Sequence, residues 1–134
     1  MWLAVYARLR RAAKLSSVMS VLIVDDHPSF RAIAARLLEA AGFKVVGEAP
    51  DGCEAIAAAR RLKPDLVLLD VQLPDLDGFE VAARLADSGL ASVVVLTSSR
   101  DAADYAPLLK RSPARAFIPK AELSRAALGD LVSG

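Results

Sequence analysis

Residues 66–85 read LVLLDVQLPDLDGFEVAARL, and this stretch decides the fold. Residues 66–69 form a continuous apolar run, and Asp70 closes it. A polar loop then carries the chain to Asp77 and Gly78. Phe79, Val81, Ala82 and Leu85 follow at helical spacing, and Gly89 stops the pattern. Strand, loop and amphipathic helix in that order make one β-α unit. Because the strand is apolar at every position rather than at alternate ones, it suits a parallel sheet covered on both faces.

The same rhythm extends outward in both directions. Further apolar runs occupy residues 21–24, 44–49, 92–96 and 115–118. Pro28 is suited to a first helical turn, and Gly42 stops the helix that carries Leu37, Leu38 and Ala41. Asp51 and Glu54 have the spacing of a capping box ahead of Ile56, Ala59 and Leu62, and Pro64 closes that helix. A fourth helix is expected near residues 102–110, where Pro107 removes a backbone donor and should shorten or kink it. A last one, residues 124–132, has Ala127, Leu128 and Leu131 on one side. Five β-α units with right-handed crossovers predict a doubly wound α/β fold, five parallel strands with helices on both faces in three α/β/α layers. Ligands in such folds sit at the carboxyl ends of the strands.

Composition sets the outer limits. The chain of 134 residues, 54% hydrophobic and 25% charged, is the size of one domain and has enough apolar material for a core. Its apolar runs are far shorter than the roughly 20 residues that cross a bilayer, so no membrane insertion is expected. Cys53 is the single cysteine, which excludes an internal disulfide and points to a reducing, cytoplasmic setting. Residues 1–19 form a basic, partly apolar leader that lacks the apolar core of a secretion signal. They are expected to be a disordered or loosely helical tail outside a folded unit of residues 20–134. The sharper alternative is a basic helix touching a membrane or partner, with Arg8, Arg10, Arg11 and Lys14 beside Trp2, Leu3, Val5 and Leu9. The rest of the chain holds 13 basic against 16 acidic residues, which does not favour a globally basic nucleic-acid binder.

Several polar residues fall at the carboxyl edge of the expected sheet. Asp25 and Asp26 end the first strand, Asp70 the third and Thr97 the fourth, and Lys120 follows the fifth. Singly, these acids read as helix caps or turn residues. Together, three carboxylates in one crevice repel one another and call for a cation. Mg²⁺ prefers one or two carboxylates with water and phosphate, and Lys120 adds a second positive charge. A carboxylate can act as a nucleophile and form an acyl phosphate, and a hydroxyl such as Thr97 can bond a phosphoryl oxygen. His27 beside the acidic pair reads as a surface residue at a helix start, Cys53 as a small packing residue, and Gly78 as part of a helix entrance.

VLIVDDHPSFR (residues 21–31), LVLLDVQLPDLDGFEVAARL (66–85), VVVLTSS (93–99) and AFIPK (116–120), in this order, resemble a response-regulator receiver domain of two-component signalling, with the flavodoxin-like, CheY-like fold. The resemblance covers about residues 20–131. It implies that Asp25 and Asp26 bind Mg²⁺, Asp26 most directly, and that Asp70 and the Gln72 carbonyl complete the metal site. Asp70 would take the phosphoryl group from a sensor histidine kinase. Thr97 would move toward it, Lys120 would pair with it, and Phe117 would change rotamer as the aromatic part of the switch. These moves would remodel the face of the fourth helix, fifth strand and fifth helix, which could also serve a homodimer. The chain departs from the pattern at Ala121, where many relatives have a cis proline, and at residues 110–117, KRSPARAF. Gln72 and Ser99 stand where relatives tune the phosphoryl lifetime.

The reading is therefore a stand-alone receiver that passes its phosphorylation state to a downstream protein, a phosphoacceptor rather than an enzyme. Only 14 residues follow Lys120, too few for a helix-turn-helix module, so direct DNA binding is not expected. Two alternatives stand beside it. One is a receiver-fold interaction module indifferent to phosphorylation. The other is a haloacid-dehalogenase-like phosphatase, which needs a second acid two residues after the nucleophile, where this chain has Gln72.

Overall fold

The computed structural model of the protein describes residues 18–124 and residue 127. The leader up to residue 17 lies outside them, as does the expected last helix apart from Ser124 and Ala127. Between those two, the Ser124 hydroxyl accepts the Ala127 N–H at 3.0 Å, as an N-cap does.

Five strands form one parallel sheet: β1 (Ser20–Val24), β2 (Lys44–Ala49), β3 (Leu66–Asp70), β4 (Val93–Ser98) and β5 (Ala116–Pro119). Their spatial order is β2-β1-β3-β4-β5. Every residue of β3 and β4 is buried, as the continuous apolar runs require of central strands. The edge strand β2 is partly exposed, with Lys44 and Glu48 turned to solvent. Neighbouring residues along each strand serve opposite faces. Val21, Ile23, Leu66, Leu68, Val93 and Val95 pack with Ala34 and Leu38 of α1 (Pro28–Ala40). Leu22, Val24, Val67, Leu69, Val94 and Leu96 pack on the other side with Ala55 and Ala59 of α2 (Gly52–Leu62) and Val81, Ala82 and Leu85 of α3 (Gly78–Asp87).

The helix ends follow local chemistry, with two departures. Pro28 lies in the first turn of α1, and Gly42 follows its end at φ +99°, a conformation open to glycine. Asp51 accepts the Glu54 N–H at 2.8 Å, but no return bond from Glu54 is formed among the described residues, and a distant residue caps the next two N–H groups. Asp75 accepts the Gly52 and Cys53 N–H groups at 2.7 and 3.0 Å, so the start of α2 is capped from the loop after β3. The expected fourth helix is two pieces, a 3₁₀ turn (Ala102–Tyr105) and α4 (Ala106–Arg111). Pro107 belongs to the first turn of α4, where its missing donor is tolerated, so the interruption precedes the proline.

At the amino ends of the strands, the Ser20 N–H and hydroxyl reach Asp65 Oδ2 at 2.8 and 3.2 Å, and the Asp65 N–H returns to the Ser20 hydroxyl at 3.0 Å. Ser92 donates its hydroxyl to the Pro64 carbonyl beside them. Among the described residues no helix is long and apolar enough to cross a membrane.

Candidate functional site

Strand register brings the expected residues together. Val24 pairs with Leu69 and Asp70 with Thr97, so Asp25, one residue past Val24, stands level with Asp70 and Thr97 across three adjacent strands. The Asp25 N–H bonds the Ala49 carbonyl at 3.0 Å and the Val71 N–H bonds the Thr97 carbonyl at 2.9 Å, extending the ladder into the loops that carry the site. Lys120 opens a 3₁₀ turn directly after β5. Its Nζ lies 2.7 Å from Asp25 Oδ2, 3.4 Å from Asp70 Oδ2 and 4.3 Å above the Phe30 ring.

The loop after β3 is held close by Gly78. Its N–H donates to the Val71 carbonyl at 2.7 Å, and a β-carbon there would lie 2.5 Å from the Asp70 carbonyl oxygen and 2.8 Å from Val71 Cα. Only a residue without a side chain lets α3 begin against the end of β3. The Gln72 N–H meets Asp70 Oδ1 at 3.2 Å, and Gln72 bridges to Asp77 across the loop.

The carboxylates are electrostatically unequal. Burial and the neighbouring charge of Asp25 push Asp70 up to about 6, against the pull of Lys120 and the Gln72 N–H. Burial acts on Asp25 in the same direction, but Lys120 and the His27 N–H outweigh it, and Asp25 lies below the ordinary carboxylate range. Asp26, with its side chain 36% exposed, faces solvent. Oxygens of Asp25, Asp26 and Asp70 and a nitrogen of His27 all lie within 4.8 Å of one another. Buried acids in mutual repulsion, offset by one ammonium, form a donor set that fits a hard divalent cation. The Thr97 hydroxyl fits an incoming oxygen ligand. It is wholly buried and has no hydrogen-bond partner among the described residues, an arrangement that is costly until a partner arrives.

Phe117 is half-buried on β5, 5.9 Å between ring centroids from Tyr105, which in turn lies 5.6 Å from Phe79. The Tyr105 and Ser98 hydroxyls are hydrogen-bonded at 3.0 Å, one residue beyond Thr97. The sequence reading missed Tyr105, whose only signal was an aromatic residue within a helix interrupted by proline. It also missed Arg31, which bonds the Asp25 carbonyl at 2.6 Å and Glu48 at 2.9 Å and so ties the acidic loop to β2. Cys53 is exposed rather than packed, and Asp75 raises its thiol by hydrogen bonding and charge.

Comparison with known proteins identifies the family and the fold. The family described as "Response regulator receiver domain" matches residues 21–132. The transcriptional regulatory protein PdtaR of Mycobacterium tuberculosis is 39% identical over 113 residues, covering 78% of this chain and 55% of that protein. A Pseudomonas aeruginosa protein described as a transcriptional regulator is 43% identical over 102 residues, 76% of this chain and 49% of its own length. The chain thus spans about half the length of the curated relatives it matches. Among solved structures, the response regulator domain of Thermotoga maritima CheB superposes with a TM-score of 0.69 at 31% identity, over 76% of this chain and 78% of that one. The signal receiver domain of a modulated diguanylate cyclase from Desulfovibrio desulfuricans superposes with 0.75 at 31% identity, over 85% and 90%.

Proposed function

Because the chain belongs to the response regulator receiver domain family of two-component signalling, we propose that Asp70 is its phosphoacceptor, with Asp25 and Asp26 holding Mg²⁺. The observation that carries this reading is the convergence, at one sheet edge, of a buried Asp70 raised to about 6, the ion-paired Asp25 and Lys120, and the partnerless Thr97 hydroxyl. In the proposed reaction an Asp70 oxygen attacks the phosphorus of a phosphohistidine on a sensor kinase. The new O–P bond forms as the P–N bond breaks, and the departing imidazole takes up a proton. Asp25, Asp26 and the Gln72 carbonyl would hold Mg²⁺, which when bound offsets the charge of acids and phosphate.

This chain's own groups then read the change. Lys120, nearer to Asp25 than to Asp70 at rest, has an ammonium free to turn to a phosphoryl oxygen. The Thr97 hydroxyl gains the acceptor it lacks, and its movement is relayed to Phe117 and the surface built on α4 and β5. Phosphorylation thereby shifts the population of that surface between two states, and a downstream protein or a second copy of the chain reads the result. The receiver unit comprises residues 20–134 in this proposal, with residues 1–19 outside it. It acts in the cytoplasm as a switch read through protein contacts, without turnover of its own on other substrates.

The test is incubation with acetyl phosphate and Mg²⁺ followed by intact-mass measurement. Wild type is expected to gain one phosphoryl group and Asp70→Asn none. An unmodified wild type, or an adduct that persists in the variant, overturns the assignment. Repeated turnover of small phosphate esters would favour a phosphatase instead.

A further inference from the structure

A groove of about 360 Å³ opens at the carboxyl edge, between the loop after β3 and the segment formed by the 3₁₀ turn and α4. That size falls within the range of ligand-binding clefts. Its walls are apolar, with Leu73 and Phe79 on one side and Tyr105 and Leu108 on the other. Leu108 is 45% exposed, one of three large apolar side chains that stand in solvent among the described residues. The rim is mainly acidic. Asp77 lines the groove, exposed Asp101 and Asp104 flank it in the turn that carries Tyr105, and Arg100 is the one basic residue on the lining. A contiguous apolar surface with a polar rim marks an interaction site, and this one suits apolar side chains accompanied by positive charge.

The chain itself supplies that chemistry. Residues 1–17, outside the described residues, carry Trp2, Leu3, Val5 and Leu9 beside Arg8, Arg10, Arg11 and Lys14, and contain no acid, whereas residues 20–134 hold 13 basic against 16 acidic residues. They join the fold at the amino end of β1. From there the carboxyl edge is about 17 Å along the five-residue strand, and β4 is two strands, or about 10 Å, across the sheet. A segment of 17 residues spans about 25 Å as a helix and roughly 55 Å extended, so the groove is within reach. A tether of this kind sets an effective concentration of about a millimolar, so a weak contact suffices. We propose that residues 1–17 dock in this groove of their own chain, apolar side chains against Leu73, Phe79, Tyr105 and Leu108, with the basic residues toward Asp77, Asp101 and Asp104. The docked segment lies across Gln72, which also lines the groove two positions from Asp70, and slows phosphorylation of Asp70. That consequence rests on the phosphoacceptor reading, whereas the docking itself does not.

Trp2 is the chain's single tryptophan, so acrylamide quenching of its fluorescence reports on the leader of the full-length protein without a label. Trp2 is expected to be shielded in the wild type. Quenching should rise at least twofold in Leu108→Glu, a change at an exposed position, and equally in Arg10→Glu with Arg11→Glu, which leaves the groove untouched. Wild-type quenching as strong as that of the urea-unfolded chain would overturn the proposal. Shielding that survives either variant overturns it by placing the leader elsewhere or removing the role of charge. Shielding lost on dilution gives the groove to the leader of a second copy, and shielding gained only with anionic vesicles makes the leader a membrane segment; each overturns docking within one chain. Acetyl phosphate labelling under Mg²⁺ tests the consequence. Leu108→Glu should label at least twofold faster than wild type, and equal rates overturn the slowing. Absence of label in both refutes the phosphoacceptor reading and leaves the fluorescence result to decide the docking.

Discussion

Lys120 Nζ lies 2.7 Å from Asp25 Oδ2, the closest approach of a cation to the buried carboxylate groups among the described residues. The resting ammonium thus neutralises Asp25 and leaves Asp70 only partly compensated, at 3.4 Å.

Lys120→Met keeps an unbranched apolar side chain and deletes the charge that lies over Phe30. Losing one partner of a largely buried pair strands the other, at a cost of about 2 to 4 kcal/mol. Urea unfolding at neutral pH in chelator should show that loss, and Mg²⁺ should recover part of it. The carboxyl resonances of Asp25 and Asp70 should both titrate at higher pH than in wild type.

Asp70→Asn should stabilise the metal-free protein at neutral pH. The native carboxyl titrates near 6 against 3.8 for the unperturbed group, so folding favours its protonated form. That contribution is complete below pH 4 and disappears as pH rises through 6. A neutral amide pays no such penalty at any pH. The stability gap between variant and wild type should be near zero at pH 3.5 and grow to about 2 to 3 kcal/mol above pH 6.5. Saturating Mg²⁺ should narrow it. Thermal melts across this range, with and without Mg²⁺, are the measurement.

Gly78→Ala places a methyl group against the Asp70 and Val71 backbone, where no flexible side chain can yield. The gain in helix propensity does not offset an overlap of about 1 to 3 kcal/mol. Denaturant midpoints should fall accordingly, and labelling by acetyl phosphate should slow because the loop after β3 is displaced from Asp70.

Tyr105→Phe separates the hydroxyl from the ring. The aromatic row with Phe79 and Phe117 remains, while among the described residues the Ser98 hydroxyl keeps only the Arg100 N–H as a partner, at 3.1 Å. A loss of about 1 kcal/mol is expected, against about 3 kcal/mol or more for Tyr105→Ala, both read from urea unfolding.

The residues that made the fold legible are those whose role is local. Continuous apolar runs marked β1, β3 and β4, and Pro28 and Gly42 bounded α1, because strand burial and helix ends are properties of neighbouring residues. Asp25, Asp26, Asp70, Thr97 and Lys120 could be gathered because strand ends in this topology share one edge. Asp75 escaped because its cap on α2 joins residues far apart in sequence, where no spacing rule applies. Tyr105 escaped for a related reason: the 3₁₀ turn that points it toward Ser98 depends on packing. His27 was read by its helix position, whereas the direction of its ring depends on two carboxylates in space.

The Ser20–Asp65 clasp, with Ser92 on the Pro64 carbonyl, sits at the sheet end opposite the acids. It ties the strands together at the pole away from the proposed phosphoacceptor. In the proposed switch, strain introduced among the carboxylates would be resisted at the clasped end and taken up in the loops and short helices around β4 and β5. A receiver built this way would work like a tuning fork held at its stem, with the anchorage deciding where the proposed motion appears.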